Sequence, residues 1–132
     1  MGFCSMHESA FTTTVHKKLP SSVYRWKIQA TMTGGIPDTY YSGDKADLWV
    51  EYKLLNKLPK RPDTLLVPKL SSLQAKWLRD RYSEGRNVAV ILGHLQGSYI
   101  FTDLTWETGI TQDKLNISRN ELAQWITRQV TN

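Results

Sequence analysis

The chain has 132 residues, 40% of them hydrophobic and 22% charged, with 17 Lys and Arg against 12 Asp and Glu, a formal net charge of +5 and a pI of about 9.4. That length holds one domain with one real core, no apolar run is long enough to span a bilayer, and Cys4, the single cysteine, excludes an intrachain disulfide. The basic balance favours a polyanionic partner, because Lys and Arg displace counterions from phosphate backbones.

A reducing, cytoplasmic setting is expected from the cysteine usage. The N-terminus lacks the apolar stretch of a signal peptide. Met1-Gly2 does not complete a myristoylation motif, because position 6 is Met6. No membrane association is expected.

Residues 5 to 19 read as a first helix. Ser5 and Glu8 have capping-box spacing, Phe11 and Val15 continue the stripe, and Pro20 stops it. Val23 to Ala30 alternates as a strand with one half-buried face. Thr33-Gly34-Gly35 breaks it. Ile36 to Ser42 reads as a second strand, with Pro37 at its start, where a missing N–H is tolerated. Ser42-Gly43-Asp44-Lys45 is a hairpin turn.

The third strand, Ala46 to Leu54, organises the rest. Successive side chains point to opposite faces. Leu48, Val50, Tyr52 and Leu54 share a core face. Asp47, Trp49, Glu51 and Lys53 share the other, which sets a carboxylate beside an ammonium. Gly34-Gly35-Ile36-Pro37-Asp38 delivers a second acid from the turn upstream. Asp38, Glu51 and Lys53 are the side chains that metal-dependent phosphodiester hydrolysis needs: two oxygen ligands and a cation that positions or deprotonates water.

Asn56 to Lys69 is a proline-stiffened basic loop with Lys57, Lys60, Arg61 and Lys69. Ser71 to Glu84 reads as a second helix with a Ser71/Gln74 capping box and an apolar side of Leu73, Trp77, Leu78 and Tyr82. Lys76 and Arg79 carry the basic run onto it. Gly85 ends it. Asn87 to Leu92 is a central buried strand. His94 to Gly97 is a turn and Tyr99 to Thr102 a short strand. Residues 103 to 117 carry no clear pattern. Ser118 and Glu121 open a last helix with Leu122, Trp125, Ile126 and Val130 on its apolar face. His7, His16 and His94 have no zinc-ligand spacing.

Pro37-Asp38 followed by Glu51-Tyr52-Lys53, thirteen and fifteen residues on, resembles the PD-(D/E)xK nuclease superfamily. Its small stand-alone members are the nearest likeness: archaeal-type Holliday-junction resolvases, phage junction-resolving endonucleases and VRR-NUC proteins. The last type has a Gly-hydrophobic-Pro-Asp turn, matched by Gly35-Ile36-Pro37-Asp38, and a Gln on the following helix, matched by Gln74. The resemblance implies an α/β fold with a restriction-endonuclease-like αβββαβ core. That core is a mixed sheet flanked by helices over about residues 5 to 102, with 103 to 132 as a C-terminal helical extension of the single domain.

The resemblance further implies Mg²⁺ or Mn²⁺ on Asp38, Glu51 and the Tyr52 carbonyl, with Glu8 as a further candidate ligand. Lys53, Glu8 and Gln74 complete the catalytic group. Helix capping alone also explains Glu8 and Gln74. Asp47 is weighed as a supporting acid against a solvated strand-end residue. Lys57, Lys60, Arg61, Lys69, Lys76 and Arg79 are the expected DNA contacts. The expected substrate is branched DNA, cut by a homodimer whose interface comes from the first helix or from Trp125 and Ile126. Phage encoding, with action in the host cytoplasm, fits the small size. The alternatives are a nuclease for flaps, nicks or duplex, and a non-catalytic nucleic-acid-binding module on the same scaffold.

Overall fold

Strand β3 (Asp47–Leu54) forms where the alternation places it. In the computed structural model, which describes residues 7–28 and 34–132, its even side chains enter one core and Trp49 enters another. β1 (Tyr24–Lys27) and β2 (Thr39–Ser42) precede it, and β4 (Val88–Gly93) and β5 (Tyr99–Phe101) follow. The five strands lie in the order β1-β2-β3-β4-β5. All pairs are antiparallel except β3 with β4, which run parallel. A parallel pair needs a crossover, and α2 (Ser72–Ser83) supplies it. β4 is buried along its whole length, as its unbroken apolar run requires.

Helices α1 (Glu8–His16) and α3 (Arg119–Val130) cover one face. Phe11, Val15, Leu122 and Ile126 pack there against Tyr41, Val50, Tyr52 and Ile91. Helix α2 and the segment after β5 cover the other face, where Leu78, Val90, Leu92, Phe101 and Trp106 form the second core. The segment from 103 to 117 is two short 3-10 turns, Leu104–Glu107 and Gln112–Lys114. It closes that core by burying Trp106 and by bridging Ile110 to Leu66 in the basic loop. The result is the expected α/β fold, a mixed sheet between helices with a restriction-endonuclease-like core. No helix among the described residues is long and apolar enough to cross a membrane.

Several details differ from the sequence reading. α1 ends at His16, three residues before Leu19. Pro20 has no N–H to give the His16 carbonyl, which accepts the Leu19 N–H and the Arg25 guanidinium instead. Ser5, the expected cap, lies outside the described residues. So do Gln29 and Ala30 of the expected first strand. On β1 the half-buried face is not formed, because α2 packs over β4 and leaves the β1 end of that face uncovered; Tyr24 and Trp26 are 59% and 49% exposed. On α2, Leu73 and Tyr82 face solvent and Leu78 is its buried anchor. Ile126 is fully buried in α3, so it is not available to an interface between protomers.

Candidate active site

The site forms where β2 and β3 stop pairing. Their ladder runs from Ser42 opposite Asp47 to Thr39 opposite Val50. Pro37 cannot donate to a ladder, and Gly35 turns the chain at φ +94° just before it. Carboxylates then take the place of the missing strand. The Asp38 N–H donates to Glu51 Oε1 at 3.1 Å. The Tyr52 N–H donates to both carboxylate oxygens of Asp38, each at 3.3 Å. The Leu54 N–H donates to Glu8 Oε2 at 3.1 Å. On its other edge β3 is fully paired, with the amides of Trp49 and Leu55 donating to Asn87 and Gly93. The two groups of one strand residue point to the same side. The Tyr52 carbonyl therefore opens into the same gap as its amide.

Glu51 is only 4% exposed. Besides the Asp38 amide, it accepts a hydrogen bond from Gln74 Nε2 at 3.2 Å and pairs with Lys53 Nζ at 3.5 Å. Gln74 does two jobs at once. Its Oε1 accepts the Ser71 N–H at 3.0 Å, which completes the capping box, while its Nε2 holds Glu51. Glu8 is the first residue of its helix, behind His7 as cap, and its carboxylate reaches β3. Thr39 Oγ1 donates to Asp38 Oδ1 at 3.0 Å.

The electrostatics are those of two buried acids at close quarters. Burial, then the charge of Asp38, push Glu51 up to about 7, against the pull of Lys53. Burial raises Asp38 to about 6, with the charge of Glu8 adding to it and the Thr39 and Tyr52 hydrogen bonds opposing. The pair therefore holds about one proton between the two values and loses it above neutral pH. A bound cation would remove that repulsion. Among the described residues no group of three or more His, Cys, Asp or Glu side chains converges on one point. Two carboxylates and a carbonyl suit a hard cation that keeps most of its water, as Mg²⁺ does.

Two pockets flank Glu8. One, of about 250 Å³, is lined by Glu8, Ser9, Thr12, Lys27, Asp38 and Thr39. The other, of about 480 Å³, has Lys53, Lys57 and Lys69 on its wall. Sequence reasoning missed Lys27, whose Nζ donates to Thr13 Oγ1 at 2.7 Å beside the first pocket. Its signal was the hairpin register, which sets Lys27 opposite Thr39 and next to Asp38. Of the expected DNA contacts, the structure brings Lys57 and Lys69 to the site. Lys60 is exposed further along the loop. Arg61 pairs with Asp63, Lys76 with Asp80 at 2.6 Å, and Arg79 with Glu107 across to the 3-10 segment. None of these three lines either pocket beside the carboxylates. Asp47 is at the far end of β3, where it accepts the Tyr40 hydroxyl at 2.9 Å, so it is no part of the site.

No family model and no curated protein matches the chain. Among solved structures it superposes on Hjc, a Holliday junction resolvase from the archaeal hyperthermophile Archaeoglobus fulgidus. The TM-score is 0.54, over 90% of this chain and 97% of that one, at 15% sequence identity. The likeness is one of fold.

Proposed function

We propose that the protein is a divalent-metal-dependent endonuclease of the PD-(D/E)xK superfamily, hydrolysing DNA phosphodiesters in branched DNA such as four-way junctions. The observation that carries this reading is the open edge of β3, where Asp38, Glu51, Lys53 and Gln74 meet. The fold of a junction resolvase supports it. The narrower likeness to VRR-NUC enzymes rests on Gly35-Ile36-Pro37-Asp38 and on Gln74. Paired cuts across a junction call for a homodimer.

Asp38, Glu51 and the Tyr52 carbonyl would hold Mg²⁺ or Mn²⁺, which supplies charge neutralisation at the phosphate and a more acidic water. The protein's own groups do the rest. The Tyr52 amide fixes the Asp38 carboxylate, and the Asp38 amide and Gln74 fix that of Glu51. Their oxygens thus need little reorganisation. Lys53, on the same face as Glu51 and with a fifth of its side chain exposed, stands where it can orient water and meet developing negative charge. Lys57 and Lys69, on the wall of one pocket, would meet phosphates on one side of the scissile bond, and Lys27, on the wall of the other, those on the opposite side.

The test is cleavage of a four-way junction and a matched linear duplex, with Mg²⁺, Mn²⁺ or EDTA, for wild type and Lys53→Ala. Junction-preferring, metal-dependent cutting lost in Lys53→Ala is expected. Equal cutting of the duplex would remove the junction claim. Tight binding with no cutting in either metal would leave a binding module.

A further inference from the structure

A row of aromatic rings crosses the sheet beside the carboxylates. The register sets Trp26 opposite Tyr40 and Tyr40 opposite Trp49. Their centroids are 6.5 and 4.7 Å apart. Trp77 of α2 continues the row 5.5 Å from Trp49, and the Arg81 guanidinium stands 5.5 Å from the Trp77 ring. Tyr24 joins from the next position, 6.5 Å from Tyr40. Toward Trp77 the rings are covered by the second core. Toward β1 they emerge, with Trp26 49% and Tyr24 59% exposed. Tyr40 is fixed in orientation by its bond to Asp47.

Position matters more than exposure. Two residues along each strand from Tyr40 and Trp49 lie Asp38 and Glu51. Two along from Trp26 lies Ile28, whose amide donates to the Asp38 carbonyl at 2.7 Å. Trp26 is therefore one pleat repeat from the level of the carboxylates and Tyr24 two, both on the sheet face that carries Glu51.

Resting on the nuclease reading above, we infer that Trp26, Tyr24 and Tyr40 form a stacking platform for unpaired bases next to the scissile phosphate. Aromatic rings take any base by its π-face, and only an unpaired or splayed base offers that face. A chain with a net charge of +5 draws the phosphates that come with such bases. The area argues against a second copy of the chain as occupant. A Trp or Tyr presents roughly 150–250 Å², so at 49% and 59% the two most exposed rings offer on the order of 200 Å², against about 800 Å² per partner in a standard interface. The platform also gives a physical source for branched-DNA preference, since a continuous duplex cannot use it.

The experiment measures affinity for a fluorescent single-stranded dT oligonucleotide and for a duplex of the same length, in EDTA. Wild type, Trp26→Ala, Trp26→Phe and Tyr24→Ala are compared, with circular dichroism to check folding and sedimentation to read mass. Trp26→Ala should weaken single-strand binding about tenfold or more and duplex binding far less. Trp26→Phe should recover most of the loss. An equal loss on both DNAs, or none in both Ala variants, overturns the platform. So does a fall in sedimenting mass on Trp26→Ala, which would make this face a contact between copies. Single-strand binding through Trp26 in a protein that never cuts DNA would keep the platform and discard the nuclease reading. Lys53-dependent cutting with no single-strand effect in the Ala variants would do the reverse.

Discussion

Two buried polar clusters lie against β3, and Tyr52 belongs to both. Through its side chain it joins a relay on the α1 face: His16 Nε2 meets the Tyr41 hydroxyl at 2.7 Å, and that hydroxyl meets the Tyr52 hydroxyl at 2.6 Å. Through its backbone it joins the acids at the sheet edge. The relay contains only neutral groups. Burial, with Lys27 and Arg25 nearby, lowers His16 to about 4, and burial raises both tyrosines. Every member is paired, so the low local dielectric strengthens it. The acid cluster is as well bonded and yet crowds two carboxylates together. One arrangement locates α1 against the sheet. The other keeps a repulsion that a ligand would relieve, as sites built for binding do.

The largest effect that separates them is Glu51→Gln. Cleavage should fall by at least about 10²–10³-fold, the usual loss for a preorganised charged group. Stability should rise. A carboxylate whose folded pKa is raised weakens the fold as pH increases: the unfolded chain ionises near 4, while the folded pair keeps its protons to about 6 and 7. Wild type in EDTA should therefore lose on the order of 5 kcal/mol between pH 4 and 8, and Glu51→Gln, which keeps the raised Asp38, should lose roughly half as much. Urea denaturation at pH 5 and pH 8 measures this. Equal pH dependence in the two proteins would show that burial does not raise Glu51.

Tyr41→Phe attacks the other cluster. It removes the hydroxyl between His16 and Tyr52 and leaves both without that partner in the core. Each orphaned buried group costs about 1–3 kcal/mol. The variant should lose about 2–4 kcal/mol of stability by urea denaturation, with cleavage changed by no more than a few fold. A collapse of activity at unchanged stability would mean that the relay serves chemistry instead.

One side of this comparison is legible in the amino-acid sequence and the other is not. Leu48, Val50 and Tyr52 against Trp49, Glu51 and Lys53 is an alternation that only a two-sided strand explains, and it locates the acids. Gln74 is legible as a cap, and its reach to Glu51 is the same geometry continued. The relay is not legible, because His16, Tyr41 and Tyr52 are far apart in the chain and each reads as ordinary core or helix. Residues 103 to 117 are opaque for the same reason. Trp106 and Ile110 are held by the second core and by Leu66, not by local pattern. On β1 one face reads as half-buried and neither is, because propensity does not say where a covering helix ends.

Gly35→Ala tests how the acid cluster is positioned. At φ +94° a Cβ is strained, and it would lie 2.6 Å from the Leu73 carbonyl oxygen at the start of α2. Asp38 and Gln74 are fixed from those two segments. The loss of stability should be about 1–2 kcal/mol, with cleavage reduced more than about tenfold because Asp38 moves. Near-wild-type cleavage would show that the turn adapts without disturbing the acid.

The smallest effect is a change of sign. His16 has a folded pKa below its unfolded value. Its contribution is complete above about 6.5 and is lost as pH falls toward 4, because the unfolded chain binds the proton first. That trend opposes the acids, which gain stability over the same descent. In wild type the acids dominate. In an Asp38→Asn, Glu51→Gln double variant only the relay is left. Its stability should fall on the order of 1 kcal/mol from pH 6.5 to pH 4.5, allowing for partial screening of His16. Tyr41→Phe added to that background should make His16 easier to protonate and flatten the fall. A double variant that still gains stability on acidification would mean that other carboxylates besides Asp38 and Glu51 carry raised pKa values.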